Sequence, residues 1–309
     1  MTATTATAPT ATPSAATPTL TPRQIDPVVL MALDEDAPWG DLTSQTLLPA
    51  DARADAALVA REAGVFSGGD VFAAAFRLVD ESVTVEVLVP DGTAFERGAT
   101  LATVSGSARS VLQSERIALN FVQRLSGIAT LTAEYVALAA GTGARIVDTR
   151  KTTPGLRVFE RHAVRSGGGH NHRFSLSDAV MAKDNHLAVL TQGGLSVTDA
   201  LLAVRAQLSH TTHLEAEVDR LDQIEPVLAG GVDTIMLDNF SLADLRAGVE
   251  QVAGRAIVEA SGSVNLGTVA DIAATGVDII SVGALTHSVR SLDLGLDVTL
   301  MAAATPPTP

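Results

Sequence analysis

Apolar residues in the second half of the chain come in short runs that end in or near polar residues and are followed by stretches with helical spacing. The runs are Ile146-Val147-Asp148, Ala179-Val180-Met181, Leu214 to Val218, Ile235-Met236-Leu237, Ile257-Val258-Glu259 and Ile279-Ile280-Ser281-Val282. Runs this short and this rich in β-branched residues fit buried strands. The last four recur about every 21 to 23 residues, the length of one strand, one helix and two short loops. The alternation predicts parallel β/α architecture, an α/β fold with an incomplete β/α (TIM-like) barrel as the first choice and a doubly wound open sheet as the second. There are too few strands for a complete eight.

The first half reads differently. Between Asp26 and Glu96 a short helix around Val28 to Leu33 and strand-like runs at Ala56 to Ala60 and Val83 to Val89 alternate with turns at Gly64, Gly68, Gly69 and Pro90-Asp91-Gly92. That pattern predicts a small α/β domain of the sandwich type. Ser110 to Ala140 then reads as one helix. Arg116, Asn120 and Arg124 fall at i, i+4 and i+8 on a polar stripe, and Leu119, Val122 and Leu125 are available for packing. This helix is expected to bridge the two parts.

Composition narrows the function. With 309 residues, 46% of them apolar and only 3% aromatic, the chain can build a large core mainly from aliphatic side chains. A net charge of -14 argues against nucleic-acid and anionic-membrane partners, whose phosphates are held by an excess of clustered Lys and Arg. There is no cysteine, which excludes a disulfide framework, a thiolate metal site and a cysteine nucleophile. Residues 1–22 are Thr, Ala and Pro without the marks of a secretory or transit peptide, and they read as a disordered tail, as does the Pro-rich end. No apolar stretch is long enough to span a bilayer. A cytoplasmic location is expected.

Against this acidic background, seven of the 21 basic residues crowd between Asp148 and His186: Arg150, Lys151, Arg157, Arg161, Arg165, Arg173 and Lys183. Such an island suits a small substrate bearing several negative charges. Arg157, Arg161 and Arg165, at helical spacing, fit an exposed helix face equally well. Arg150, Lys151, Arg173 and Lys183 instead adjoin strand ends or Gly167-Gly168-Gly169, from which side chains reach a barrel mouth. His170-Asn171-His172 has the i, i+2 spacing of a metal pair, but the later strand ends supply Glu217, Asp238 and Ser261 and no further histidine. Glu217 and Asp238 each end a strand run and would share that mouth, binding sugar hydroxyls or Mg²⁺, supporting a developing positive charge, or only capping the following helices. Ser261-Gly262-Ser263 and Val282-Gly283-Ala284 have the small residues that let backbone N–H groups approach an anion, although ordinary strand-to-helix turns look the same.

Three stretches in order, Asp148-Thr149-Arg150-Lys151-Thr152-Thr153-Pro154-Gly155-Leu156-Arg157, Gly167-Gly168-Gly169-His170-Asn171-His172-Arg173 and Lys183-Asp184-Asn185-His186, closely resemble the quinolinate phosphoribosyltransferase family. Glu215-Ala216-Glu217-Val218, Leu237-Asp238-Asn239 and Glu259-Ala260-Ser261-Gly262 fit as well. The resemblance implies transfer of the phosphoribosyl group of phosphoribosyl pyrophosphate to quinolinate with loss of carbon dioxide. It also implies Mg²⁺, no organic cofactor, and a homodimer in which the neighbouring subunit completes each barrel mouth. On that basis residues 23–130 would form the N-terminal domain with the bridging helix, with 288–300 packing back on it. Residues 131–287 would form the catalytic barrel, and 1–22 and 301–309 the tails.

Carried over position by position, Arg150, His172, Arg173 and Lys183 would hold the quinolinate carboxylates, with Thr149 beside them and Arg116 reaching in from the partner subunit. Lys151 would face the pyrophosphate. Glu217 and Asp238 would sit by the ribose and Mg²⁺, directly or through water. Ser261, Gly262 and Ser263, with Val282, Gly283 and Ala284, would hold the 5'-phosphate. Lys151, Glu217 and Asp238 are the expected catalytic groups. The nearest alternative the resemblance leaves is a related transferase of the same fold, such as the molybdenum-transport-associated relatives, acting on another heteroaromatic acid. A phosphate-binding barrel without catalysis would have no use for the two acids beside the cations.

Overall fold

A computed structural model describes residues 19–301, so most of the two expected tails, 1–18 and 302–309, lies outside the described residues. The boundaries move where sequence reading placed tail residues that are folded. Leu20 is buried, the Gln24 side chain accepts the Thr21 N–H at 3.0 Å, and Pro22 opens a helix, Pro22–Asp36. Pro is tolerated there because a first-turn residue has no intrahelical N–H bond to lose. Ile25, Val29 and Leu33, at helical spacing, are the buried face. That face explains why the helix starts well before Val28 and runs through Pro27. At the other end Met301 still pairs with Arg53.

The chain forms two compact units. Among the described residues the first comprises 19–133, 153–168 and 289–301. Its four-stranded antiparallel sheet has the order Leu294–Met301, Arg53–Ala60, Thr100–Ser107, Thr84–Val87. Alternation sets its buried face: Ala54, Ala56, Leu58 and Ala60 are buried, and the residues between them are more exposed. The helix Gly69–Val79 contributes Phe72 and Phe76, whose rings meet edge to face at 5.0 Å. The long helix Ala108–Leu138 lies close to the expected limits. Of its polar stripe, Arg116 and Asn120 are exposed, whereas Arg124 is part-buried. Arg124 binds Glu160 at 2.9 Å through Nε and Thr153 at 2.9 Å through Nη2, so it anchors the 153–168 segment.

The second unit comprises 134–152 and 169–288. Its six strands are all parallel and lie in the order Arg145–Val147, Ile279–Ser281, Ile257–Ser261, Thr234–Asp238, Leu214–Val218, Val180–Ala182. From the second strand to the sixth, strands consecutive in sequence are neighbours, and the first pairs with the last. A doubly wound sheet would reverse direction at a switch point. This order is that of a β/α barrel, and it is left open, because Arg145–Val147 and Val180–Ala182 do not pair. His170 adds a single parallel bridge to Val147 on the open side. Across the opening the Arg173 guanidinium donates to Ala179 O at 2.9 Å and reaches Met181 Sδ at 3.7 Å.

Gly167 shows how tightly the 153–168 segment sits in the first unit. A Cβ there would lie 2.3 Å from the Ala129 carbonyl oxygen and 2.6 Å from Thr132 Cβ. Both belong to one helix and cannot yield by a rotamer change. Gly167→Ala is expected to destabilise the protein by about 1–3 kcal/mol in urea unfolding. Gly143→Ala, where nothing lies within 4 Å, should be neutral, and equal effects of the two would contradict this packing.

Candidate active site

In the second unit the candidate residues lie at the carboxyl ends of the parallel strands, where β/α folds place their chemistry. Asp148, Thr149, Arg150 and Lys151 follow Arg145–Val147, and Lys183 follows Val180–Ala182. Glu217 and Asp238 stand at or near the ends of Leu214–Val218 and Thr234–Asp238, and Ser261 ends Ile257–Ser261. Val282, Gly283 and Ala284 follow Ile279–Ser281. Arg116 is not among them: it is exposed on the long helix of the first unit. Arg157, Arg161 and Arg165 likewise belong to a first-unit helix, Arg157–Ser166.

The loop after the first parallel strand is held by a buried carboxylate. Asp148 accepts the His172 N–H at 2.8 Å and the Asn171 side-chain amide at 2.6 Å, and its own N–H donates to His170 O at 3.1 Å. Arg150 and Arg173 are near enough to repel one another. Burial, followed by the Arg150 charge, lowers the Arg173 pKa, and the carboxylates of Glu215 and Asp178 act in the opposite sense. The Arg150 Nε is fully buried and makes no hydrogen bond.

Below these cations lie two glutamates. Glu215 and Glu259 are only 3% and 1% exposed, and each points one oxygen at His172 Nε2, at 3.3 and 3.4 Å. Their other oxygens, Oε1 in both, are buried without a hydrogen bond. Burial pushes the Glu215 pKa up, and His172 draws it back. For His172, burial acts downward and the two carboxylates outweigh it, raising the pKa to about 10. The other ring nitrogen sets a limit on that protonation. Nδ1 accepts the Arg173 N–H at 2.7 Å, which an imidazolium carrying a proton there could not do. The contact therefore places the ring proton on Nε2, and a second proton would have to break the bond to Arg173.

The remaining groups form two clusters. Lys183 Nζ is ion-paired with Glu217, and the Lys183 N–H donates to His186 Nδ1 at 3.0 Å, which fixes the start of the following helix. Asp238 accepts from Asn239 Nδ2 at 2.7 Å, and Asn239 N donates to Ser261 O at 2.9 Å. Gly262 and Ser263 have left-handed φ of +96° and +51°. At Gly262 a Cβ would fall 2.2 Å from Asn239 Oδ1. Lys151 lies along the last loop: its Cδ is 3.0 Å from where a Gly283 Cβ would be, and its carbonyl accepts from Thr286 at 2.8 Å.

Two sets of residues could hold a cation. Glu217 and Asp238 lie on one face of neighbouring strands, since Glu217 pairs with Met236 and Asp238 is two residues on. That donor set fits Mg²⁺, which takes one or two carboxylates and completes its shell with water and phosphate. The other set, His172, Glu215 and Glu259, has ligand atoms within 4.8 Å of one another. There the ring N–H already satisfies the inward carboxylate oxygens, and Arg173 lies close by.

Sequence comparison decides the family. The C-terminal domain of quinolinate phosphoribosyl transferase matches residues 128–297, and the N-terminal domain of the same family matches 41–126. The chain belongs to the quinolinate phosphoribosyltransferase family. It is 45% identical to the carboxylating nicotinate-nucleotide pyrophosphorylase of Mycobacterium leprae, over 86% of this chain and 94% of that protein. Among solved structures it is similar to NadC from Streptococcus pyogenes, with a TM-score of 0.87 and 42% identity, covering 92% of this chain and 99% of that one. The nicotinate-nucleotide pyrophosphorylase from Francisella tularensis gives a TM-score of 0.85 at 34% identity, with 92% and 99% covered.

For a quinolinate phosphoribosyltransferase, the site residues that sequence reasoning passed over are the inward ones. Asp148, Glu215 and Glu259 stood within quoted motifs and received no role. The available signal was period two: Glu215 shares a strand face with Glu217, and Glu259 shares one with Ser261. At His172 both ring nitrogens are engaged, one by the acids and one by Arg173. Asp148→Asn is expected to cost about 1–3 kcal/mol, since an amide cannot accept from both the His172 N–H and Asn171. Urea unfolding measures this, and wild-type stability would contradict the role given to Asp148.

Proposed function

We propose that the chain transfers the phosphoribosyl group of phosphoribosyl pyrophosphate to quinolinate and decarboxylates the product. The products are nicotinate mononucleotide, pyrophosphate and carbon dioxide, in a step of de novo NAD biosynthesis. One observation carries this reading: in a chain of this family, Arg150 after the first parallel strand and Arg173 before the second are near enough for the charge of one to act on the other. Two neighbouring guanidinium groups suit a ligand with two carboxylates.

The pyridine nitrogen attacks the anomeric carbon as its bond to pyrophosphate breaks, so positive charge grows on the ribose and negative charge on the leaving group. Glu217 and Asp238 face the first and Lys151 the second. Mg²⁺, held by Glu217 and Asp238 directly or through water, would neutralise pyrophosphate charge. Once the ring nitrogen is alkylated, the adjacent carboxylate leaves as carbon dioxide. The electron pair left on the ring carbon is stabilised by the positive nitrogen until a proton is taken up. No protein nucleophile is required. Arg150, Arg173 and Lys183 fix the two carboxylates, and Thr149 lines the same loop. His172 acts through Arg173 in the conformation described. Ser261 to Ser263 and Val282 to Ala284 would receive the 5'-phosphate through backbone N–H groups.

Arg116, exposed on its helix, is assigned to the mouth of a neighbouring subunit in a homodimer. No helix among the described residues is long and apolar enough to cross a membrane, which accords with a cytoplasmic enzyme.

Arg150→Lys keeps the charge and loses the planar fork. In steady-state assays kcat/KM for quinolinate should fall about 10- to 100-fold, the equivalent of one charged hydrogen bond, while KM for phosphoribosyl pyrophosphate changes little. Wild-type kinetics in a folded variant would sink the assignment.

A further inference from the structure

We propose that Glu215 and Glu259 are a positioning pair: together they hold the His172 proton on Nε2, which leaves Nδ1 to accept the Arg173 N–H and so sets where the Arg173 guanidinium lies. The inference rests on the proposed function for its kinetic part only.

The chain of contacts is continuous. Glu215 and Glu259 stand on strands that flank Thr234–Asp238, in register with Thr234 and Met236 respectively. Both strands are parallel to the one between them, so the two carboxylates converge from opposite sides. They meet at a single ring nitrogen, at 3.3 and 3.4 Å. An ionised carboxylate can only accept there, so Nε2 donates to it. The opposite nitrogen is then a lone pair, and the Arg173 N–H lies on it at 2.7 Å. From Arg173 the side chain runs to Ala179 O and Met181 Sδ across the opening of the strand order. The ring thus converts two buried acids into a fixed acceptor for the backbone N–H of the arginine that needs to be aimed.

Burial argues that this is a purposeful arrangement. Two carboxylates at 3% and 1% exposure, each with an oxygen lacking any hydrogen bond, are costly to keep in a core. Arg150 and Arg173 above them require negative charge nearby for their own burial, and Glu215 acts on Arg173 in that sense. A single acid would supply part of the charge but would leave the ring free to tilt toward one strand. A pair on either side of the same nitrogen defines the ring plane, which is the geometry a second layer of hydrogen bonds gives to histidines that must keep one tautomer.

The test uses the full-length protein with ¹⁵N-labelled histidine, assigning His172 by its loss in His172→Asn. At neutral pH the wild-type ring should show a protonated, pyrrole-like Nε2 and an unprotonated, pyridine-like Nδ1. Glu259→Gln, which retains an acceptor at the same place, should keep that tautomer. Glu259→Leu and Glu215→Leu, which fill similar volume without an acceptor, should lose the tautomer preference. In the leucine variants KM for quinolinate should rise about tenfold or more, with KM for phosphoribosyl pyrophosphate within about twofold of wild type. A wild-type ring protonated on Nδ1 overturns the proposal without any variant. So does an unchanged tautomer in both leucine variants, or a stoichiometric metal ion bound at the triad. If the tautomer responds as stated but quinolinate is not turned over, the pair keeps its role and the proposed substrate fails instead.

Discussion

The mutual repulsion of Arg150 and Arg173 is the constraint on which the rest of the site depends. Two guanidinium groups repel one another, and the repulsion grows as water is removed. The chain as a whole is acidic, but distant surface charges are screened and cannot hold such a pair. The compensation has to be local. For Arg173 it is supplied by Glu215 and Asp178, while Asp148 fixes the Asn171-His172 turn leading to Arg173.

Parallel strands make that layering possible. Successive residues of a strand point to opposite faces, so the i, i+2 pairs Glu215 and Glu217, and Glu259 and Ser261, put a deep acid and a shallower polar group in the same column. The deep members hold His172. Of the shallower members, Ser261 is in register with Asp238, and Glu217 with Met236 two residues before it on the same face. Lys183 joins the two levels through its ion pair with Glu217.

Much of the fold was legible from the sequence, because aliphatic runs ending in polar residues recur with an even spacing. The Leu214–Val218 strand was located to the residue. Strands without that contrast were missed. Thr100–Ser107 is rich in Thr, Ser and Gly, and it is a strand because its neighbours in the sheet bury Leu101, Ala102 and Val104. Helix Gly69–Val79 was masked by glycines that read as turns, although Phe72 and Phe76 at i, i+4 carried the signal. At the site, residues at strand ends were legible because β/α folds use them in a predictable way. Glu215 and Glu259 were not, since an acid inside a strand gains its meaning only from what faces it across the barrel. The use of both His172 nitrogens is likewise a property of tertiary contacts with no counterpart in spacing.

The most direct measurement is a mass-resolved assay of the purified protein with quinolinate, phosphoribosyl pyrophosphate and Mg²⁺, using nicotinate as the control acid and following nucleotide and carbon dioxide together. The account predicts nicotinate mononucleotide and carbon dioxide in equal amounts from quinolinate, and neither from nicotinate. Nucleotide formed without carbon dioxide, or equal turnover of the monocarboxylate, would contradict a site built around two carboxylates.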